Sequence, residues 1–230
     1  MALIENVFAN REALNESFAN KIADNLNTAI SQKGEASLAV SGGSTPKPLF
    51  QLLSNRADID WEKVTVLLVD ERWVSDDNDA SNQTLVKQNL LQNQAAKAQY
   101  LSIKTDAATA EAAVKDIDEK VKVRLPIDVV ILGMGGDGHT ASLFPCSSEL
   151  AEGLRLDNES SVIATQPTTA PHQRMSLTLA SIASATNIYL HITSDDKKAV
   201  LDESLQQHTA LERPIKAVAD NAELQLMWAP

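Results

Sequence analysis

An aspartate two residues ahead of a histidine, in the run Gly133-Met-Gly-Gly-Asp-Gly-His139, supplies the parts of a general base. Imidazole is the side chain best matched to proton transfer near neutral pH, and a carboxylate fixes its tautomer and raises its basicity. Asp137 and His139 fit those roles; the bland alternative is a histidine that caps a short following helix or simply packs there. A second run, Ser41-Gly-Gly-Ser-Thr-Pro46, turns from a strand into a helix, so its backbone N–H groups and the hydroxyls of Ser44 and Thr45 can face an anion, with Gly42 and Gly43 leaving room. An ordinary turn with a Ser or Thr cap explains the same run. Arg72, Arg174 and Lys197 are candidate contacts for a phosphate or an oxyanion, against an ion pair of Arg72 with Asp70 or Glu71 and solvated surface charges for the other two.

Other chemistries fit less well. Gly133 to Gly138 satisfies G-x-G-x-x-G, but Pro145 cuts the helix that would carry a pyrophosphate, and no acid closes the next strand to hold a ribose. Ser41 to Pro46 lacks the Gly-Lys-Ser/Thr ending of a Walker A loop and the Gly-x-Ser-x-Gly of a nucleophile elbow. Cys146, the only cysteine, has no histidine beside it in sequence, so it reads as a packing residue and rules out an intrachain disulfide. Asp137 and His139 alone make no metal cage, so no metal is expected. His172, His191 and His208 read as structural or exposed.

Hydrophobic spacing supplies the scaffold. A helix is predicted from Phe8 to Ile30, stopped by Gly34, with further helices from Pro46 to Leu53, Ser81 to Leu91, Ala110 to about Leu125, and Asp196 to Gln206. Strands are predicted at Ala36 to Ser41, Val64 to Val69, Ile127 to Leu132, Ser161 to Thr165, Met175 to Leu179, Asn187 to Thr193 and Leu224 to Trp228. The alternation implies a single α/β domain over residues 1–230, with a doubly wound, mainly parallel, Rossmann-like sheet flanked by helices. Ser41 to Thr45, Asp70 to Arg72, Gly133 to His139 and Ser194 to Lys197 each follow a strand, which brings four polar loops to one crevice at the carboxyl edge.

The 230 residues carry 20 Lys and Arg against 31 Asp and Glu, a net charge of −11. Such a field repels nucleic acid and anionic lipid, so an anionic ligand needs a local basic site. No apolar run is long enough to span a bilayer, and the start Met1 to Asn6 has no export signal, so a soluble, cytoplasmic protein is expected. Oligomeric state is not legible in the sequence.

Taken together, Ser41 to Pro46, Asp70-Glu-Arg72, Leu132 to Pro145, Arg174-Met-Ser-Leu-Thr178 and the Lys197 segment resemble the 6-phosphogluconolactonase family, in the wider group of glucosamine-6-phosphate deaminases and isomerases. The resemblance implies hydrolysis of 6-phospho-D-glucono-1,5-lactone in the oxidative pentose phosphate pathway, without metal or organic cofactor. It makes His139 the base that activates water, Asp137 its orienting carboxylate, and Arg72 a contact to the oxyanion or sugar ring. Gly43, Ser44, Thr45, Arg174 and Lys197 would take the phosphate, with Gly42, Asp70 and Gly136 completing the binding set. The chain departs from the family pattern at Ser194-Asp195-Asp196, where relatives usually place a glycine after the threonine. An amino-sugar-phosphate deaminase or isomerase is the nearer alternative, but its resembling motif carries a glutamate before the proline, where this chain has Ser142-Leu143-Phe144. A non-catalytic sugar-phosphate sensor is the other; it would normally bring a basic DNA-binding helix pair.

Overall fold

Ten strands and eight α-helices follow one another along residues 3–230, the part of the chain that the computed structural model describes; the first two residues of the Met1 to Asn6 start lie outside it. The strands are β1 (Leu3–Val7), β2 (Ala36–Val40), β3 (Val64–Leu68), β4 (Asp70–Arg72), β5 (Gln99–Leu101), β6 (Val129–Leu132), β7 (Val162–Thr165), β8 (Arg174–Leu177), β9 (Asn187–Thr193) and β10 (Leu224–Ala229). The helices are α1 (Arg11–Lys33), α2 (Lys47–Ser54), α3 (Asn82–Asn89), α4 (Ala110–Lys122), α5 (Leu150–Gly153), α6 (Leu179–Ala183), α7 (Asp195–Gln207) and α8 (Ile215–Asn221).

Seven strands form a parallel sheet in the order β1-β10-β9-β6-β2-β3-β5. Its central members β2, β3 and β6 are buried at every position, as expected of apolar strands covered on both faces. From β1 the chain steps through β2 and β3 to β5 at one edge, then returns through β6 and β9 to β10. Right-handed crossovers therefore place α1, α2 and α3 on one face and α4, α7 and α8 on the other. Neighbouring β2 and β6 are left in opposite directions, which makes their carboxyl ends the switch point where such sheets bind ligands. Val40 pairs with both Leu68 and Ile131, so the three loops that follow emerge side by side.

Helix α1 is the largest cover of its face. Asn10 caps it by accepting a hydrogen bond from the Ala13 N–H at 2.9 Å, and Gly34 ends it at φ +83°. The helix thus runs three residues later at each end than the apolar spacing predicts, because the cap and the left-handed stop decide the boundaries. Its stripe of Leu14, Phe18, Ile22 and Leu26 is fully buried, each side chain contributing roughly 1.5–3 kcal/mol of hydrophobic stabilisation. At the opposite edge of the sheet Asp128 accepts from the Ser37 N–H at 2.7 Å and the Ser37 hydroxyl at 2.9 Å and pairs with Lys33, tying α1, β2 and β6 together away from the site.

The segments Ser161 to Thr165 and Met175 to Leu179 do not join the main sheet. They supply β7 and β8 of a small antiparallel sheet ordered β4-β8-β7. Asp70 to Arg72 is its edge strand rather than a loop, and Arg174 opens β8 instead of preceding it. Short length and buried character made these runs look like central strands; the backbone crosses over because Val69 donates to Val40 of the main sheet while accepting from Leu177 of the small one. Strands β1 and β5 and helices α5, α6 and α8 were not expected. The first is a half-exposed edge strand, and the others span only three to seven residues.

Candidate active site

The loops of β2 and β6 are stapled together at the switch point. Ser41 Oγ donates to the Ile131 carbonyl at 3.0 Å and accepts from the Gly133 N–H at 3.1 Å. Beyond it the β2 loop turns through Gly43 at φ +95° into the start of α2. Gly42 is required by a neighbour: a Cβ there would lie 1.9 Å from Asn82 Oδ1. Asn82 is fixed in turn, its amide donating to the Asp70 carbonyl at 2.9 Å.

The β6 loop folds back on itself. The Gly135 N–H donates to the His139 carbonyl at 2.9 Å, and Thr140 Oγ1 donates to the Gly133 carbonyl at 2.8 Å. This brings His139 Nδ1 to 2.5 Å from Asp137 Oδ1. Burial alone would raise the Asp137 carboxyl, but the hydrogen bond and charge of His139 outweigh it and hold the group at about 2. An ionised carboxylate there takes the Nδ1–H and leaves the Nε2 lone pair of His139 for the cleft. No helix follows His139; a tight turn through Leu143 does, which excludes the capping alternative. Phe144 stacks on the imidazole with ring centroids 3.9 Å apart, and the Arg174 guanidinium lies 5.7 Å from the other ring, Phe144's.

From the small sheet, β4 and β8 present Asp70, Arg72 and Arg174. The ion-pair alternative for Arg72 fails among the described residues. Glu71 instead accepts the N–H groups of Arg72, Asn82 and Gln83 at 2.6–2.8 Å, capping α3, while Arg72 Nη1 donates to the Ala80 carbonyl and its Nε is buried without a protein partner. Burial raises the Glu71 carboxyl and the three N–H groups oppose that rise. Asp70 accepts from the Ser142 hydroxyl at 2.6 Å. Arg174 is anchored on the carbonyls of Pro171 and His172 at 3.1 and 3.3 Å. Lys197, in the first turn of α7, donates to the Met134 carbonyl at 2.9 Å.

One cleft of about 570 Å³ gathers these groups. Gly42, Gly43, Ser44, Thr45, Asp70, Arg72, His139, Arg174 and Lys197 all line it; Asp137 stands behind His139, and Gly136 lies in the loop without lining the cleft. Arg11, Asn82, Phe144 and His191 line it too, and were missed. Phe144 stood inside a motif that could have flagged it, whereas Arg11 and His191 carry no local signal. Of the remaining histidines, His172 is exposed and His208 pairs with Glu203 and Glu212. Cys146 does not line the cleft; burial would raise its thiol, but hydrogen bonds from Thr168 and Thr169 bring it down to about 7. No group of three or more His, Cys, Asp or Glu among the described residues is arranged to hold a metal, and no described helix is long and apolar enough to cross a membrane.

Ser194 sits at φ +84°, ψ 151°, a conformation glycine adopts without strain. The Ser194 hydroxyl caps α7, accepting from the Lys197 N–H.

Comparison with known proteins identifies the family. Residues 9–228 match the family model described as glucosamine-6-phosphate isomerases/6-phosphogluconolactonase. A 6-phosphogluconolactonase of Rhizobium meliloti is 44% identical over 227 residues, covering 97% of each chain, and one of Pseudomonas putida is 38% identical over 222 residues, covering 96% of this chain and 91% of that one. The crystal structure of a 6-phosphogluconolactonase from Shewanella baltica superposes with a TM-score of 0.96 at 42% identity, covering 100% of this chain and 98% of the other. With the family model matched over residues 9–228 and near full-length similarity to these relatives, the chain belongs to the glucosamine-6-phosphate isomerase/6-phosphogluconolactonase family.

Proposed function

We propose that the protein hydrolyses 6-phospho-D-glucono-1,5-lactone to 6-phospho-D-gluconate, the lactone-opening step of the oxidative pentose phosphate pathway. The observation that carries this reading is the 2.5 Å contact of His139 with Asp137 at the mouth of a cleft that also holds Arg72, Arg174 and Lys197. His139 Nε2 takes a proton from water as its oxygen bonds to the lactone carbonyl carbon. The carbonyl becomes a tetrahedral oxyanion, which Arg72 steadies with its unspent N–H donors. Collapse breaks the bond to the ring oxygen, which receives the proton from the imidazolium and leaves as the hydroxyl. A positioned base of this kind contributes roughly 10² to 10⁴ in rate.

The phosphate is assigned to the Gly42 to Thr45 turn at the start of α2, with Lys197 and Arg174 supplying charge in a protein whose net field repels anions. Its binding energy holds the distant carbonyl in line with His139. Base, orienting group and cations all come from protein side chains, so the reading needs no metal or organic cofactor. The ring-opening deaminase reaction is disfavoured, because no glutamate precedes Pro145 and the apolar Phe144 stands there against His139. Offering the protein phosphorylated lactone, gluconolactone and glucosamine 6-phosphate tests the assignment: rapid opening of the phosphorylated lactone is expected, and ammonia release from glucosamine 6-phosphate without lactone opening would overturn it.

A further inference from the structure

Arg72 steadies the oxyanion in the reading above, yet among the described residues a single hydrogen bond holds its guanidinium. Nη1 donates to the Ala80 carbonyl at 2.6 Å, and the buried Nε has no protein partner. The aim of the charge therefore follows from where the Ala80 carbonyl stands. Residues 75–79, just before it, are all exposed, so the loop that delivers this carbonyl has little packing of its own to fix it.

Glu71 fixes the other side of Ala80. It alternates along β4 with Asp70 and Arg72, which line the cleft, so its own side chain turns away from the cleft and is 1% exposed. Oε1 accepts from the N–H groups of Arg72 and Asn82 at 2.6 and 2.8 Å, and Oε2 accepts from the Gln83 N–H at 2.7 Å and the Ser81 hydroxyl at 3.2 Å. One carboxylate thus joins the backbone of Arg72 to the three residues that follow Ala80. Gln83 carries the tie back into the loop, its Nε2 donating to Asp76 Oδ2 at 2.9 Å. Capping alone does not account for this arrangement, because Ser81 is already the N-cap of α3, accepting from the Thr84 N–H at 3.2 Å. Burial nonetheless pushes the Glu71 carboxyl up against the N–H groups that favour its ionised form, so the charge is kept there at a cost to the fold.

We infer that Glu71 is a positioning residue for the reaction: it locks the Ala80 carbonyl against the Arg72 guanidinium and so aims the remaining Arg72 N–H donors at the oxyanion. The inference rests on the lactonase reading, in which Arg72 stabilises the transition state. Removing an oxyanion donor outright costs roughly 10² to 10³ in kcat, and a displacement of about 1 Å costs on the order of 10². Glu71→Gln keeps the shape of the side chain but sets an amide donor against backbone N–H groups, so the Ala80 segment must shift and Arg72 with it.

A double-mutant cycle on the full chain tests the inference, with 6-phosphogluconolactone as substrate and wild type, Glu71→Gln, Arg72→Ala and the double variant compared. Glu71→Gln should lower kcat by about 10- to 100-fold with KM within about threefold of wild type, since the groups assigned to the phosphate lie elsewhere in the cleft. In the Arg72→Ala background the same substitution should change kcat by less than about threefold, because no guanidinium is left to aim, whereas a merely structural role would cost the same factor in both backgrounds. Relaxation of the Arg72 Nε–H resonance, assigned by its loss in Arg72→Ala, reads the position without turnover: it should be ordered in wild type and fall below an order parameter of about 0.6 in Glu71→Gln. If Glu71→Gln does not fold, Ser81→Ala takes its place; it removes one donor to Glu71 at the cost of a helix cap, and should lower kcat about fivefold with Arg72 present and leave it unchanged without. Equal factors in both backgrounds, or an Arg72 Nε–H as ordered in the folded variant as in wild type, overturn the inference. A wild-type protein that leaves the lactone intact overturns the lactonase reading instead, and the relaxation measurement then still decides whether Glu71 holds Arg72.

Discussion

Gly135→Ala should disable the site while leaving the fold in place. Residue 135 has no positive φ, so alanine is tolerated by the backbone itself. The added methyl, however, would lie 2.2 Å from His139 Cε1 and Nδ1 and 2.6 Å from Asp137 Oδ1. Ordinary contact begins near 3.4 Å, so the imidazole must retreat by about 1.2 Å. Phe144 stacks against the ring at 3.9 Å and resists that retreat, and any rotation that relieves the clash lengthens the 2.5 Å bond to Asp137. A misplacement of about 1 Å at a reacting group costs on the order of 10² in rate. The expected result is a kcat for 6-phosphogluconolactone reduced by about 10², with Tm lowered by only a few degrees and phosphate affinity kept. Initial rates of acid release, beside a thermal melt and a phosphate titration, measure all three. A Gly135→Ala enzyme with kcat within threefold of wild type would refute the claim that the Asp137–His139 contact is what that glycine protects.

Asp137→Asn should cost about 10² to 10³ in kcat, because the amide no longer fixes the Nδ1–H tautomer of His139. The folded Asp137 carboxyl lies near 2 against 3.8 in the unfolded chain, so its stabilisation is fully present above about pH 4 and is lost as pH falls toward 2. That difference corresponds to about 2 kcal/mol, discounted to about 1 kcal/mol for a side chain 39% exposed; Tm of wild type and variant should therefore converge below pH 3, and a constant gap would contradict the assignment. Ser194→Gly should stabilise by about 1 kcal/mol, since relief of the φ +84° strain exceeds the loss of a weak 3.5 Å cap, raising Tm by roughly 2–4 °C; a lower Tm would show that the backbone there is unstrained.

Legibility in the sequence followed how local each cause was. Strands β2, β3 and β6 are apolar at almost every position, and the Gly43 turn and the Asp137 to His139 spacing declare themselves within a few residues. Strand β1 was invisible because an edge strand with Ile4 and Val7 partly exposed has no apolar signature. The small sheet was misplaced because the choice between joining β3 and crossing over is made by partners more than 100 residues away, at Ser176 opposite Asp70. Arg11 and His191 were unreadable for the same reason. An arginine after a cap and a histidine within an apolar strand acquire their place only when α1 lies across β9.

Acid release from freshly generated 6-phosphogluconolactone by wild-type and His139→Asn proteins is the most direct test of the central claim. The wild-type protein should open the lactone far faster than buffer. His139→Asn should fall by about 10² to 10⁴ while still binding phosphate. A His139→Asn rate within a few-fold of wild type would contradict the assignment of His139 as the base.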